Sequence, residues 1–130
     1  MSDAVLLDVD EGVATVTLNQ PERRNALSAE MNEGIRDALD EVGEDEARCV
    51  VITGAGGSFC AGGDIDRMRE AAETQPPLHE RAAALDRSTS QLITRLVELP
   101  VPTVAKIDGP AVGAGANLAI ACDVQVASAS

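Results

Sequence analysis

With 130 residues, 45% of them hydrophobic, the chain is long enough for one domain with a real core, and its single aromatic residue, Phe59, leaves that core to aliphatic side chains. A formal net charge of −12, with Lys106 the only lysine, excludes nonspecific nucleic-acid binding, because nothing here would neutralise phosphates. No apolar run approaches the roughly 18 residues of a membrane span, and the acidic start MSDAVLLDVDEG lacks the basic end of a signal peptide, so a cytoplasmic protein with no membrane partner is expected.

Residues 4–9 and 13–18 alternate loosely around DEG and predict a hairpin. The polar loop LNQPERRNAL follows. Ser28 is a good N-cap for an amphipathic helix over 29–42, with Met31, Ile35, Ala38, Leu39 and Val42 on one face. CVVITG, 49–54, is a short apolar run ended by glycine, the pattern of a strand covered on both faces. SFCAGGDI comes next, with a short helix expected to begin near Asp64. ETQPPLHE reads as a loop, and a longer helix is expected over 80–98 with Leu85, Leu92, Leu96 and Leu99 on its apolar stripe. A second buried strand is expected at 103–107, then a turn at Gly109-Pro110, a helix at about 114–121 and the start of a further strand in VQVASAS. Strands alternate with helices, so the class is α/β.

Cys49, Cys60 and Cys122 are scattered, odd in number and without a Cys-x-x-Cys pair, so neither a disulfide framework nor a metal site is expected. Cys60 and Cys122 read as small buried filler, with no base nearby in sequence to activate a thiolate. His79, the one histidine, reads as a loop residue. Asp108 and Asp123 read as turn or strand-end residues. The acidic, lysine-poor composition is that expected of a high-salt cytoplasm, where screening relieves self-repulsion.

Two loops share one form. VVITGAGGSFCAGGDI and VAKIDGPAVGAGANLAIACD each leave a strand and enter a helix through glycines. Neither spells G-x-G-x-x-G, and G-x-x-x-x-G-K-[ST] is absent, which argues against a dinucleotide or P-loop site. Two readings remain for the glycines. They serve tight turns that need small residues for packing, or they bare backbone N–H groups at two helix starts so that one oxygen sits between two amides.

FCAGGDI, followed by PTVAKIDGPAVGAGANLAIACDVQVA and preceded by LNQPERRNALSAEM, resembles the enoyl-CoA hydratase/isomerase (crotonase) family over essentially the whole chain and in the right order. The resemblance implies a spiral of ββα units, C-terminally truncated here, with residues 1–130 a partial acyl-CoA-binding domain. It implies an acyl-CoA thioester as partner, coenzyme A belonging to the substrate and no separate cofactor, and assembly as a homotrimer or hexamer. It implies that the backbone amides of Gly63 and Ala114 form an oxyanion hole for a thioester enolate. It also implies that Arg24, Ala26 and Ala61 line the coenzyme A path, with Asp64 and Ile65 bordering the acyl pocket.

The chain departs from the family's hydratases where it matters for proton transfer. Asn117 stands where those hydratases carry a catalytic glutamate, and an amide is no general base. The second acid belongs to a segment beyond Ser130. GANLA at this place resembles the ring-modifying phenylacetyl-CoA isomerase branch, which favours isomerase over hydratase for a complete relative. The expectations are therefore a fragment of such an enzyme, an acyl-CoA-binding module, or an interaction subunit completed by another chain.

Overall fold

The computed structural model describes residues 3–44, 47–63 and 78–128. Strands β1 (Val5–Asp10) and β2 (Val13–Leu18) form the expected hairpin and pair antiparallel. Helix α1 (Ala29–Glu44) crosses to β3 (Cys49–Gly54), helix α2 (Leu78–Val97) precedes β4 (Thr103–Ile107), and helix α3 (Ala114–Ala121) leads into β5 (Val124–Ala127). The sheet order is β1-β2-β3-β4-β5, parallel from β2 onward. Helical crossovers between neighbouring parallel strands make this an α/β fold.

Register places Val16, Ile52 and Ala105 side by side on three adjacent strands, all fully buried. Met31, Ile35 and Leu39 of α1 and Leu92 and Leu96 of α2 join the same core. Removing each such large side chain from water contributes about 1.5–3 kcal/mol, which is why an aliphatic core suffices. Ser28 caps α1 as its sequence context predicts, its Oγ accepting the Met31 N–H at 3.0 Å.

Two expectations need correction. β3 and β4 are not covered on both faces: Val50, Ile52, Thr103 and Ala105 are buried, while Val51, Thr53 and Val104 are only partly covered and Lys106 is exposed. The helical core lies against one face, so burial follows the two-residue period of the strand. The segment ETQPPLHE is also not all loop, because α2 already begins at Leu78 and places His79 in its first turn. The helix expected near Asp64 lies outside the described residues.

The far edge is tied down by side chains. The Thr103 N–H donates to Asp123 Oδ2 and the Asp123 N–H to Thr103 Oγ1, each at 2.9 Å, latching the start of β5 to the start of β4. Gln125 Nε2 donates to the carbonyls of Cys122 at 2.7 Å and Ala119 at 3.0 Å, closing the C-terminal end of α3. β5 itself is an edge strand with all four residues exposed. No described helix is long and apolar enough to cross a membrane.

Candidate active site

The two glycine loops leave adjacent parallel strands, β3 and β4, at the same end of the sheet, so they meet. They meet as a small parallel ribbon. The Phe59 N–H donates to Pro110 O at 3.0 Å, and the Val112 N–H donates back to Cys60 O at 3.0 Å. On the other side of the first loop runs the segment 24–27. Here the Ala61 N–H donates to Arg24 O at 2.9 Å and the Leu27 N–H to Gly62 O at 2.6 Å. The order across the ribbon is thus 24–27, 59–63, 110–112.

The glycines make this approach possible. Gly62 has φ +91°, and a Cβ there would stand 2.6 Å from Val112 O and 3.4 Å from Ala114 N. Gly115 lies so close to the first loop that a Cβ would land on Cys60 O. A Cβ at Gly109 would likewise land on Gly57 O. Bare backbone at these three positions is filled by the backbone of the facing loop. That decides in favour of packing for them, while leaving the amides beside them as the groups with chemistry to offer.

Among the described residues, neither the Gly63 N–H nor the Ala114 N–H donates a hydrogen bond. Ala114 is the first residue of α3, where no intrahelical acceptor exists, and Gly113 offers no side-chain cap. The N–H groups of Gly115 and Asn117 are by contrast satisfied by Val112 O and Gly113 O. The Ala114 donor also sits at the positive end of the helix macrodipole. Unpaired amides from two abutting loops suit an acceptor oxygen that gains negative charge.

The other expected site residues divide cleanly. Arg24 is exposed and left-handed at φ 53°, with its carbonyl on Ala61. Ala26 is buried in the neck of the same segment, and Ala61 is half-buried beside it. Asn117 is exposed on α3, three residues after Ala114 and so on the same helical face. Asp64 and Ile65 lie outside the described residues. The structure therefore brings Arg24, Ala26, Ala61, Gly63, Ala114 and Asn117 into one region around the ribbon.

A groove of about 530 Å³ between β1 and α1 lies elsewhere and carries Asp3, Glu30, Glu33, Asp37 and Glu41, a lining that repels anions. Neither buried cysteine is poised as a nucleophile. Burial pushes the Cys60 thiol up despite a hydrogen bond with the Gly62 backbone. Burial, partly offset by Thr103 and reinforced by the Asp123 charge, raises Cys122 to about 11. Among the described residues no group of three or more His, Cys, Asp or Glu side chains is placed to hold a metal ion.

A sequence model of enoyl-CoA hydratase/isomerase matches residues 8–130. The chain belongs to the enoyl-CoA hydratase/isomerase family. It is 39% identical over its whole length to an Escherichia coli 1,2-epoxyphenylacetyl-CoA isomerase, of which it covers 49%. It is 42% identical to a putative enoyl-CoA hydratase of Thermus thermophilus, over 93% of this chain and 47% of that protein. Among solved structures, an enoyl-CoA hydratase/isomerase from Xanthobacter autotrophicus Py2 superposes with a TM-score of 0.89 at 34% identity, covering 98% of this chain and 46% of the other. An enoyl-CoA hydratase from Mycobacterium smegmatis gives 0.87 at 36% identity, over 97% and 48%. The fold is the crotonase fold, and the chain spans about half the length of the curated relatives it matches.

Within this family fold, one residue at the junction escaped sequence reasoning. Asn25 is fully buried in a loop otherwise rich in exposed polar groups, and both its Nδ2 protons and its Oδ1 have backbone partners. A polar residue in a polar loop carries no periodicity to betray burial. The only sequence hint is that asparagine tolerates the left-handed backbone it adopts here, φ 57°.

Proposed function

We propose that this chain supplies the carbonyl-holding part of an acyl-CoA site, in which the Gly63 and Ala114 amides grip the thioester oxygen. The observation that carries the reading is the abutment of the two loops with both of these N–H groups unused among the described residues. Loss of an α-proton from a bound thioester moves negative charge onto that oxygen. Two fixed donors lower the energy of the enolate without reorganising, and the helix dipole behind Ala114 adds to the effect. Arg24, exposed beside Ala61, is positioned to meet the anionic coenzyme A in a chain of net charge −12. Coenzyme A arrives as part of the substrate, so no further cofactor is needed.

The proton has to be moved by a group other than Asn117. Asn117 can orient a water or a substrate oxygen but cannot take a proton. An isomerase-type reaction fits Asn117 better than hydration does, in keeping with the similarity to the E. coli isomerase. A second reading, a noncatalytic acyl-CoA-binding subunit, is favoured by the same Asn117, whose amide is no general base.

Calorimetry with coenzyme A and with acyl-CoA, alongside turnover of crotonyl-CoA and a 3-enoyl-CoA, separates these readings. Tight thioester binding with double-bond migration supports the isomerase. Binding without turnover supports the subunit. A chain that prefers coenzyme A to its thioester refutes the carbonyl site.

A further inference from the structure

The loop carrying Gly63 is held by one four-residue segment at both of its ends. Asn25 Nδ2 donates to Ala55 O and to Ser58 O, each at 3.0 Å, and its Oδ1 accepts the Gln20 N–H at 2.8 Å. The backbone on either side of Asn25 then takes the far end of the loop, through Arg24 O to the Ala61 N–H and the Leu27 N–H to Gly62 O. The grip extends to the second loop, because Ser58 is followed by Phe59, whose N–H is bonded to Pro110 O.

Three features require asparagine. The backbone is left-handed, which asparagine tolerates far better than most residues. Two donors and an acceptor are needed at once, which aspartate, glycine and serine cannot supply. The site is fully buried, so each unpaired partner is costly.

We propose that Asn25 is a positioning residue that sets the Gly63 amide against the Ala114 amide, resting on the reading of those two amides as the thioester-oxygen site. It also links Arg24 and Ala26, on the side expected to meet coenzyme A, to the loop that meets the carbonyl. It touches no substrate atom itself.

The test is a pair of titrations of 15N-labelled protein, followed by amide NMR, with coenzyme A and with acetyl-CoA. In the wild type, acetyl-CoA should shift the Gly63 and Ala114 amide protons, and the two Asn25 Nδ2 protons, beyond anything coenzyme A produces. In Asn25→Asp and Asn25→Gly, which keep a residue suited to positive φ, coenzyme A affinity should hold while the thioester-specific shifts at Gly63 and Ala114 are lost. The preference for acetyl-CoA over coenzyme A should fall about three- to tenfold, the scale of one net hydrogen bond. Variants that keep the thioester-specific shifts overturn the positioning role alone. If neither variant folds, the wild-type Nδ2 signals decide, and their indifference to the thioester carbonyl overturns it. A wild type with no thioester-specific response at Gly63 or Ala114 overturns the underlying site as well, a pattern distinct from the other two.

Discussion

Replacing Ala114 by proline removes one hydrogen-bond donor and almost nothing else. Ala114 is the first residue of α3, a position where proline is favoured because its fixed φ is helical and the lost N–H has no helical acceptor. Gly113 precedes it at φ 56°, ψ −121°, the mirror image of an extended conformation, which an achiral residue can present to a following proline. Stability should therefore change by less than about 1 kcal/mol. The chemical effect should be large and lopsided. In the ground state a neutral N–H to carbonyl bond is worth about 0.5–1.5 kcal/mol net, so acyl-CoA affinity should fall two- to tenfold. In the transition state the oxygen carries charge, and one lost donor costs about 10²–10³ in rate, or roughly 2.7–4 kcal/mol. Calorimetry measures the first quantity, turnover of an enoyl-CoA by the catalytically complete enzyme measures the second, and a thermal melt checks the fold. Coenzyme A lacks the carbonyl, so its affinity should not move. A loss of affinity with kcat unchanged would mean uniform binding rather than enolate stabilisation. A folded Ala114→Pro protein with wild-type rate would refute the role of this amide.

Gly115→Ala should destabilise the protein by more than the usual 1–3 kcal/mol of overpacking, because the new methyl lands on Cys60 backbone rather than on a side chain that can rotate away; urea denaturation measures it. Cys122 should make stability fall as pH rises between about 9 and 11. The unfolded thiol loses its proton first in that window, so the native state holds more protons and alkali favours unfolding. Cys122→Ala should flatten that limb of the stability curve, and an unchanged limb would assign the effect elsewhere. The net charge of −12 should make the melting temperature rise between roughly 0.1 and 1 M salt as repulsion is screened; insensitivity to salt in that range would remove the high-salt reading of the composition.

Much of the architecture is legible in the chain because its local signals agree. Ser28 and the 31-35-38-39-42 stripe specify α1, and DEG between two alternating runs specifies the β1–β2 hairpin. The two-sided burial expected of β3 does not follow from a run of apolar residues. A run shows that a strand is apolar, while the helix that covers each face is a tertiary fact. The family is likewise visible in FCAGGDI and GAGAN, where Gly62 and Gly115 stand at close backbone approaches that leave no room for a side chain.

The sequence by itself showed two glycine loops that each leave an expected strand, and its resemblance to the family singled out Gly63 and Ala114 within them. Only the tertiary structure decided that β3 and β4 are neighbours, so that Gly62, Gly109 and Gly115 serve the contact between the loops. Only it revealed Asn25 as the clamp. The physical reason is range: turns, caps and helix faces are written in contacts a few residues apart, whereas Asn25 finds its partners thirty and thirty-three residues away. No local pattern can encode a distance that the folded sheet alone creates.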